Sequence, residues 1–298
     1  MGLSSSKDMA ICLILFNPAQ SKRILMNYLY TVNQFELKKL PVFTLELVFK
    51  DRKPEIPSAF HVHSDSFMFH KERMCRVLET KVPSKYKKLL FIDGDVLFMN
   101  DNWYSDISKL LDTHDAVQPF ETCEWLDLTY TNITLTRKSV LFMKETVWNY
   151  NYHPGFGWAF RRDWYRKIGF FDWAVSGSGD TLSSASWMKK SFPKIFKSLP
   201  TSLKPAYSEF TTKPVPRITY YANSKLQHLY HGSKTNRQYV ERHKIIDNEP
   251  DIRKLITINK DGMYEWIDKD KWNPLFLDYF RSRTDDDLSD LPYKGPTS

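Results

Sequence analysis

The sequence is poor in cysteine and has no long apolar run, and each absence excludes a class of protein. Three cysteines in 298 residues, Cys12, Cys75 and Cys123, stand far apart without metal-ligand spacing. They predict buried, reduced thiols and argue against a disulfide framework or a zinc site. No segment approaches the ~18 uninterrupted apolar residues that a membrane-spanning helix needs. The first apolar run, Met9 to Phe16, is also too short for a secretory core and lacks a small-residue cleavage pattern. On that ground Asn132-Ile133-Thr134, which has the form of a glycosylation acceptor, is discounted. The chain has no internal repeat, no glycine-rich phosphate loop, no arginine-rich arm and no recognised nucleic-acid motif. These absences together predict a cytoplasmic protein with no nucleic-acid partner.

Apolar residues make up 42% of the chain and aromatic residues 15%, ample for a packed core. The length fits one large α/β domain, with or without an appendage. A net charge of +8 favours anionic partners, though on charge alone a phosphorylated ligand, nucleic acid and an anionic membrane surface all stay open. The opening Met-Gly-Leu-Ser-Ser-Ser-Lys matches the N-myristoylation pattern, with Gly2 as acceptor. Its alternative is a disordered polar start. A single acyl chain would hold the protein weakly at the cytosolic face of a membrane.

Periodicity predicts strands over Met9 to Phe16 and Val42 to Phe49, and helices over Ser21 to Gln34 and His70 to Thr80. A strand ending at Ile92, a helix over Trp103 to Leu111 and a short strand over Ala116 to Phe120 follow. This alternation argues for a mostly parallel, nucleotide-binding type of sheet. Glu121 to Tyr152 has no clean periodicity. Beyond it, Trp158 to Phe160 reads as a strand, Arg162 to Lys167 as a helix closed by Gly169, and Thr181 to Lys190 as a helix entered from the mobile-looking loop Ser176 to Asp180. Residues 192–217 read as a surface wrap. The domain organisation expected is a polar tail over 1–8, one domain over 9–247, and a C-terminal extension over 248–298.

Asp93-Gly94-Asp95 directly follows the apolar run Leu89-Leu90-Phe91-Ile92. Such a run suits a strand buried on both faces, and in open α/β sheets ligands bind beyond the carboxyl ends of these strands. Alternation puts Asp93 and Asp95 on one side, where both can face a hard divalent cation. The competing reading is a surface turn with solvated acids. His231 is the best further ligand. His228, three residues earlier, points to the opposite face in extended chain and reads as packing. Imidazole beside carboxylates suits Mn²⁺ better than Mg²⁺ or Ca²⁺. Thr235 and Gln238 have capping-box spacing, so a helix N-terminus, an anion site, is expected after Gly232, with Lys234, Arg237 and Arg242 adding charge. Asp180 reads as a general base or merely as a helix N-cap, with Asp172 as its alternate. Lys71 and Glu72 open a helix facing the same strand end, or form a surface pair.

These residues, taken in order, resemble the metal-dependent glycosyltransferases of the GT-A fold, nearest to a poorly characterised group found in viruses and microbes. The resemblance spans about Met9 to Trp266. It rests on Lys71-Glu72, Phe91 to Phe98, Gln118-Pro119-Phe120, His153 to Ala159, Ile168 to Asp172, Gly179-Asp180, and His231-Gly232 with Arg237, Tyr239 and Arg242. It implies transfer of a sugar from a nucleoside-diphosphate sugar to a hydroxyl-bearing glycan or glycoconjugate. Asp93, Asp95 and His231 would hold Mn²⁺ or Mg²⁺, and Asp180 would be the base of an inverting enzyme. Lys71, Arg237, Arg242 and Glu46 would contact the donor, and Gly155 and Trp158 would line the sugar or acceptor side. A paired acidic motif common at the base position is Gly179-Asp180 here. The rival readings are a metal-dependent nucleotide-sugar pyrophosphohydrolase or nucleotidyltransferase, and a carbohydrate-binding module without catalysis.

Overall fold

Buried strands with apolar residues on both faces build the centre of the molecule. The structure, a computed structural model, describes residues 7–145, 148–188, 193–233 and 235–286. Gly2 and Lys234 lie outside the described residues. The first half alternates strand and helix: β1 (Met9–Leu15), α1 (Lys22–Leu37), β2 (Val42–Phe49), β3 (Phe60–Ser64), α2 (Lys71–Lys81), β4 (Lys88–Ile92), β5 (Val96–Phe98), α3 (Trp103–Leu110) and β6 (Ala116–Gln118). Next come β7 (Thr122–Leu126), β8 (Ile133–Ser139), β9 (Tyr152–His153), β10 (Gly157–Arg161), α4 (Arg162–Lys167) and α5 (Gly179–Trp187). The chain continues through α6 (Pro193–Ser198), α7 (Lys204–Thr211), β11 (Ile218–Tyr220), β12 (Lys225–His228), β13 (Ile256–Ile258), β14 (Tyr264–Trp266) and α8 (Lys269–Ser282).

Seven strands form the main sheet in the order β11-β6-β10-β4-β1-β2-β3. Within it, β10 runs antiparallel to both neighbours and the other pairings are parallel. The mostly parallel α/β architecture expected from the sequence is therefore present. Alternation along β1 and β4 divides their side chains between two cores. Ala10, Cys12, Leu89 and Phe91 pack with Met74, Cys75 and Leu78 of α2. Met9, Ile11, Leu90 and Ile92 pack with Tyr28 and Phe35 of α1 and Trp103 and Ile107 of α3. A smaller sheet, β5-β12-β7-β8-β9, stands beyond the end of β4, and β13 and β14 form a hairpin.

Two expectations differ from the structure. The aperiodic stretch after Glu121 contains the antiparallel pair β7 and β8; β7 is buried at every residue, so it shows no alternation. Residues 192–217 hold two helices, α6 and α7, where a surface wrap was expected. Beyond residue 247, Trp266, Trp272, Phe276 and Phe280 belong to the same core as Cys12 and Phe91. All three cysteines are free and buried, and no helix among the described residues is long and apolar enough to cross a membrane.

Candidate functional site

The Asp93-Gly94-Asp95 turn carries the chain from the main sheet to the smaller one, since β4 ends at Ile92 and β5 begins at Val96. Main-chain bonds hold it from both sides. Asp93 N–H donates to the Phe156 carbonyl at 2.8 Å, and Leu229 N–H donates to the Asp95 carbonyl at 2.7 Å. Gly94 lies against Tyr28, whose ring would meet an added Cβ at 3.0 Å.

Three potential ligands converge at Asp95. Its Oδ2 stands 2.9 Å from His231 Nε2 and 3.5 Å from His228 Nε2, and the two imidazole nitrogens are 3.0 Å apart. The ligand atoms of Asp95, His228 and His231 all lie within 4.8 Å of one another. Asp95 Oδ1 is buried without a hydrogen-bond partner, an arrangement that a bound cation would relieve. The donor set thus fits a divalent metal. His228 belongs to this cluster, contrary to the extended-chain expectation. β12 ends at His228 and Leu229 bends to the Asp95 carbonyl, so the alternation that separates residues three apart stops before His231. Phe156 holds His228 in place: the rings stack at 4.8 Å, with Phe156 in the left-handed region at φ +71°. A bulky residue there is strained and persists only where its surroundings fix it. Burial alone would raise the Asp95 carboxyl, but His228 and His231 outweigh it and hold Asp95 well below the usual range. Burial, aided by His231 and Arg237 against the pull of Asp95, lowers His228 to about 4, which leaves a neutral imidazole able to ligate.

Asp93 takes a different partner, Lys71 Nζ at 2.6 Å. Burial and the charge on Asp95 push its carboxyl up against the pull of Lys71. Lys71, Glu72, Asp93, Gly155, Trp158 and Asp180 line one small cavity with a volume of about 20 Å³, the room of a single water. Asp180 enters at the start of α5 and accepts from Thr181 N–H at 2.7 Å. Its other oxygen lies where a Cβ on Gly155 would be only 2.4 Å away, so glycine there admits the carboxylate. Glu72 presses on Gly179 in the same way, and burial, with Asp180 and Asp93 nearby, pushes its carboxyl up to about 8. Burial opposes the charge on Lys71, yet Asp93, Asp180 and Glu72 together raise its pKa.

The remaining expected residues divide. Arg237 Nη2 donates to the His231 carbonyl at 2.7 Å and faces the His231 ring and Asp285. Arg242 is buried, stacked on Phe69 and Tyr239, and donates to Ser178 Oγ at 3.1 Å. It therefore supports the loop before Asp180 and does not present its charge to a ligand. His243 bridges Ser176 and Ser178 at 2.7 and 3.1 Å, so the loop that looked mobile in sequence is clamped. Asp172 is paired with Arg73 and Arg76. Glu46 is not brought to the site: its oxygens accept from Glu55 and Ile56 N–H at 2.6 and 2.9 Å and fix the loop after β2. Trp158 is 1% exposed and donates to the Pro154 carbonyl, a core residue that forms part of the cavity wall. The helix expected after Gly232 is a three-residue 3₁₀ turn, Thr235–Arg237, and Gln238 at φ +45° breaks it. Among the described residues no α-helix starts there, and Arg237 is what that segment brings to the cluster.

No protein-family model and no curated protein matches the chain. Solved structures do show likenesses. A mutant of Drosophila β1,4-galactosyltransferase 7, in complex with manganese, UDP-Gal and xylobiose, is 9% identical, with 87% of this chain and 92% of that one covered and a TM-score of 0.39. The 4-diphosphocytidyl-2C-methyl-D-erythritol synthase of Anaerococcus prevotii is 10% identical over 74% of this chain and 88% of its own, with a TM-score of 0.36. A glycosyltransferase involved in glycosylation of the major capsid of PBCV-1 is 12% identical over 80% and 98%, with a TM-score of 0.28. These neighbours are glycosyl- and nucleotidyltransferases, and at such scores no activity of this chain follows from them.

Proposed function

We propose that this protein is a divalent-metal-dependent glycosyltransferase that moves a sugar from a nucleoside-diphosphate sugar to a hydroxyl of a glycan or glycoconjugate. One observation carries the reading. Asp95, His228 and His231 converge beyond β4, while Asp180 reaches the same strand end across Gly155. Transfer needs charge neutralisation at the leaving group and a base for the acceptor, and these two groups of residues supply them.

The metal, when bound, offsets the negative charge that a departing diphosphate acquires. Two imidazoles and a carboxylate suit Mn²⁺ better than Mg²⁺. Arg237, beside His231, adds fixed positive charge on the same side. Lys71 neutralises Asp93 and stands over the cavity entered by Asp180. Asp180 takes the proton of the acceptor hydroxyl as its oxygen bonds to the anomeric carbon on the face opposite the departing nucleoside diphosphate, which inverts that carbon. Glu72 retains its proton up to about pH 8 and so keeps a further negative charge out of the cavity.

The same donor set favours one second reading, since two histidines and a carboxylate also hold hydrolytic Zn²⁺. That enzyme would be a nucleotide-sugar pyrophosphohydrolase. Incubation with Mn²⁺ or Zn²⁺ and a panel of sugar nucleotides separates the cases. Release of nucleoside diphosphate supports transfer, and nucleoside monophosphate supports pyrophosphate cleavage. Binding without turnover marks a carbohydrate-binding module. Asp95→Ala should abolish turnover with the circular dichroism spectrum unchanged, and an unaltered rate in that variant removes the metal from the account. Asp180→Asn should lower turnover by roughly 10²–10⁴ while sparing donor affinity.

A further inference from the structure

The two ring nitrogens of His231 face different carboxylates, while Arg237 Nη2 lies against both. Nε2 looks into the cation cluster, 2.9 Å from Asp95. Nδ1 looks outward to Arg237 and, at 3.7 Å, to Asp285 Oδ1. A neutral imidazole carries one proton. With that proton on Nε2, the ring donates to Asp95 and has no lone pair for a metal. With the proton on Nδ1, Nε2 is free to ligate, and Nδ1–H requires an acceptor. Arg237 is a donor only, so the carboxylate placed to accept it is Asp285, at an ion-pair distance of 3.7 Å that must shorten for the bond to form.

Asp285 is built into this position. It follows α8 in a short strap that crosses from Arg283 to Asp286. Asp286 ties the strap to the start of α1, accepting from Ser21 Oγ at 2.7 Å, Lys22 N–H at 3.1 Å and Arg23 N–H at 2.8 Å. Thr284 sits in the left-handed region at φ +46°, held by Asn236 Nδ2 at 2.6 Å, a costly conformation for a β-branched residue. Gly232, at φ +88°, lets the strap approach, since a Cβ there would stand 3.1 Å from Asp285 Cα. Asp285 itself is 5% exposed, with Arg283 at 3.0 Å and Arg237 at 3.4 Å balancing its charge.

We propose that Asp285 is a positioning residue of the cation site, accepting Nδ1–H of His231 and thereby directing Nε2 toward a divalent metal ion. The proposal rests on the reading of Asp95, His228 and His231 as ligands.

Titration of the full chain with Mn²⁺, followed by the electron paramagnetic resonance of the free ion, tests this in Asp285→Ala, Asp285→Asn, His231→Ala and the double variants. Asp285→Ala should weaken Mn²⁺ binding about 10–100-fold, as loss of a ligand-orienting partner does. Asp285→Asn, which keeps an acceptor, should restore part of it. Neither substitution should cost anything further in the His231→Ala background, because the effect passes through His231. Equal losses in both backgrounds, or wild-type binding by Asp285→Ala while His231→Ala is weakened, overturn the proposal. Wild-type Mn²⁺ binding by His231→Ala removes the cation-site reading itself. Should Asp285→Ala not fold, Asp285→Asn carries the same comparison: a loss that vanishes in the His231→Ala background supports coupling, and an additive loss refutes it.

Discussion

At the scale of single residues, the candidate site depends on close approaches that side-chain identity alone conceals. His228 was assigned to packing by its spacing, yet its Nε2 lies 3.5 Å from Asp95 because the strand stops there. His228→Ala should therefore weaken Mn²⁺ binding by at least ~10-fold, the lower bound for losing even an outer partner of a ligand; an unchanged binding isotherm would return His228 to the core. Gly155 makes the second test. A methyl group there would meet Asp180 Oδ2 at 2.4 Å and His153 Nε2 at 3.2 Å, so the carboxylate must move. Gly155→Ala should cut turnover by roughly 10²-fold, the usual cost of a displacement near 1 Å, with Mn²⁺ affinity intact. Retained turnover would show that Asp180 is not the base.

At the scale of elements, the loop before α5 shows how a segment can read as mobile and be fixed. Its composition, Ser176-Gly177-Ser178-Gly179, is that of a flexible linker. Arg242 and His243 arrive from far along the chain and bind both serines, and Gly177 is glycine because Arg242 Cζ would lie 2.6 Å from its Cβ. Arg242→Ala removes one arm of the clamp and leaves the His243 bonds. Hydrogen exchange should rise over residues 176–181 and kcat should fall more than donor affinity, and exchange equal to wild type would refute the clamp. The strands β7 and β8 make the complementary case. β7 pairs on both sides, with β8 and β12, and its complete burial erases the period that would have announced it.

At the scale of the whole molecule, the C-terminal residues belong to the fold. Trp266, Trp272, Phe276 and Phe280 are each 3% exposed or less, and burying each contributes ~1.5–3 kcal/mol. Their sum, roughly 6–12 kcal/mol, equals the net stability of an ordinary domain, ~5–15 kcal/mol. A chain ending at residue 247 should therefore fail to show a cooperative thermal transition, and a sharp transition would restore the expected boundary. Stability should also depend on pH. Burial lowers His70 to about 4, His228 to about 4 and His243 to about 3, so the unfolded chain binds protons below ~6.5 that the native protein refuses. Each withdraws ~1.4 kcal/mol per pH unit as pH falls from ~6.5 toward its folded value. Glu72, raised to about 8, acts oppositely between ~4.5 and 8, Asp93 does so between ~3.8 and about 6, and Glu55 is raised by burial in the same sense, but the three histidines outweigh them. Urea midpoints should fall from pH 6.5 to pH 4.5, and flat midpoints would refute the sign.

The central sheet, its mostly parallel direction and the strand end where Asp93 and Asp95 stand are legible in the chain's pattern, because they follow from local burial and turn chemistry. That pattern also placed His231 and Asp180 among the candidates. Packing across the fold brings His228 and Asp285 to His231, pairs Asp93 with Lys71, and turns Glu46 and Arg242 to loops. Those outcomes depend on which backbones meet: β12 beside β5, α5 against Gly155, and the strap after α8 against Gly232. Contacts such as Lys71–Asp93 and His231–Asp285 join different elements and leave no periodicity in a single chain, so packing had to supply them.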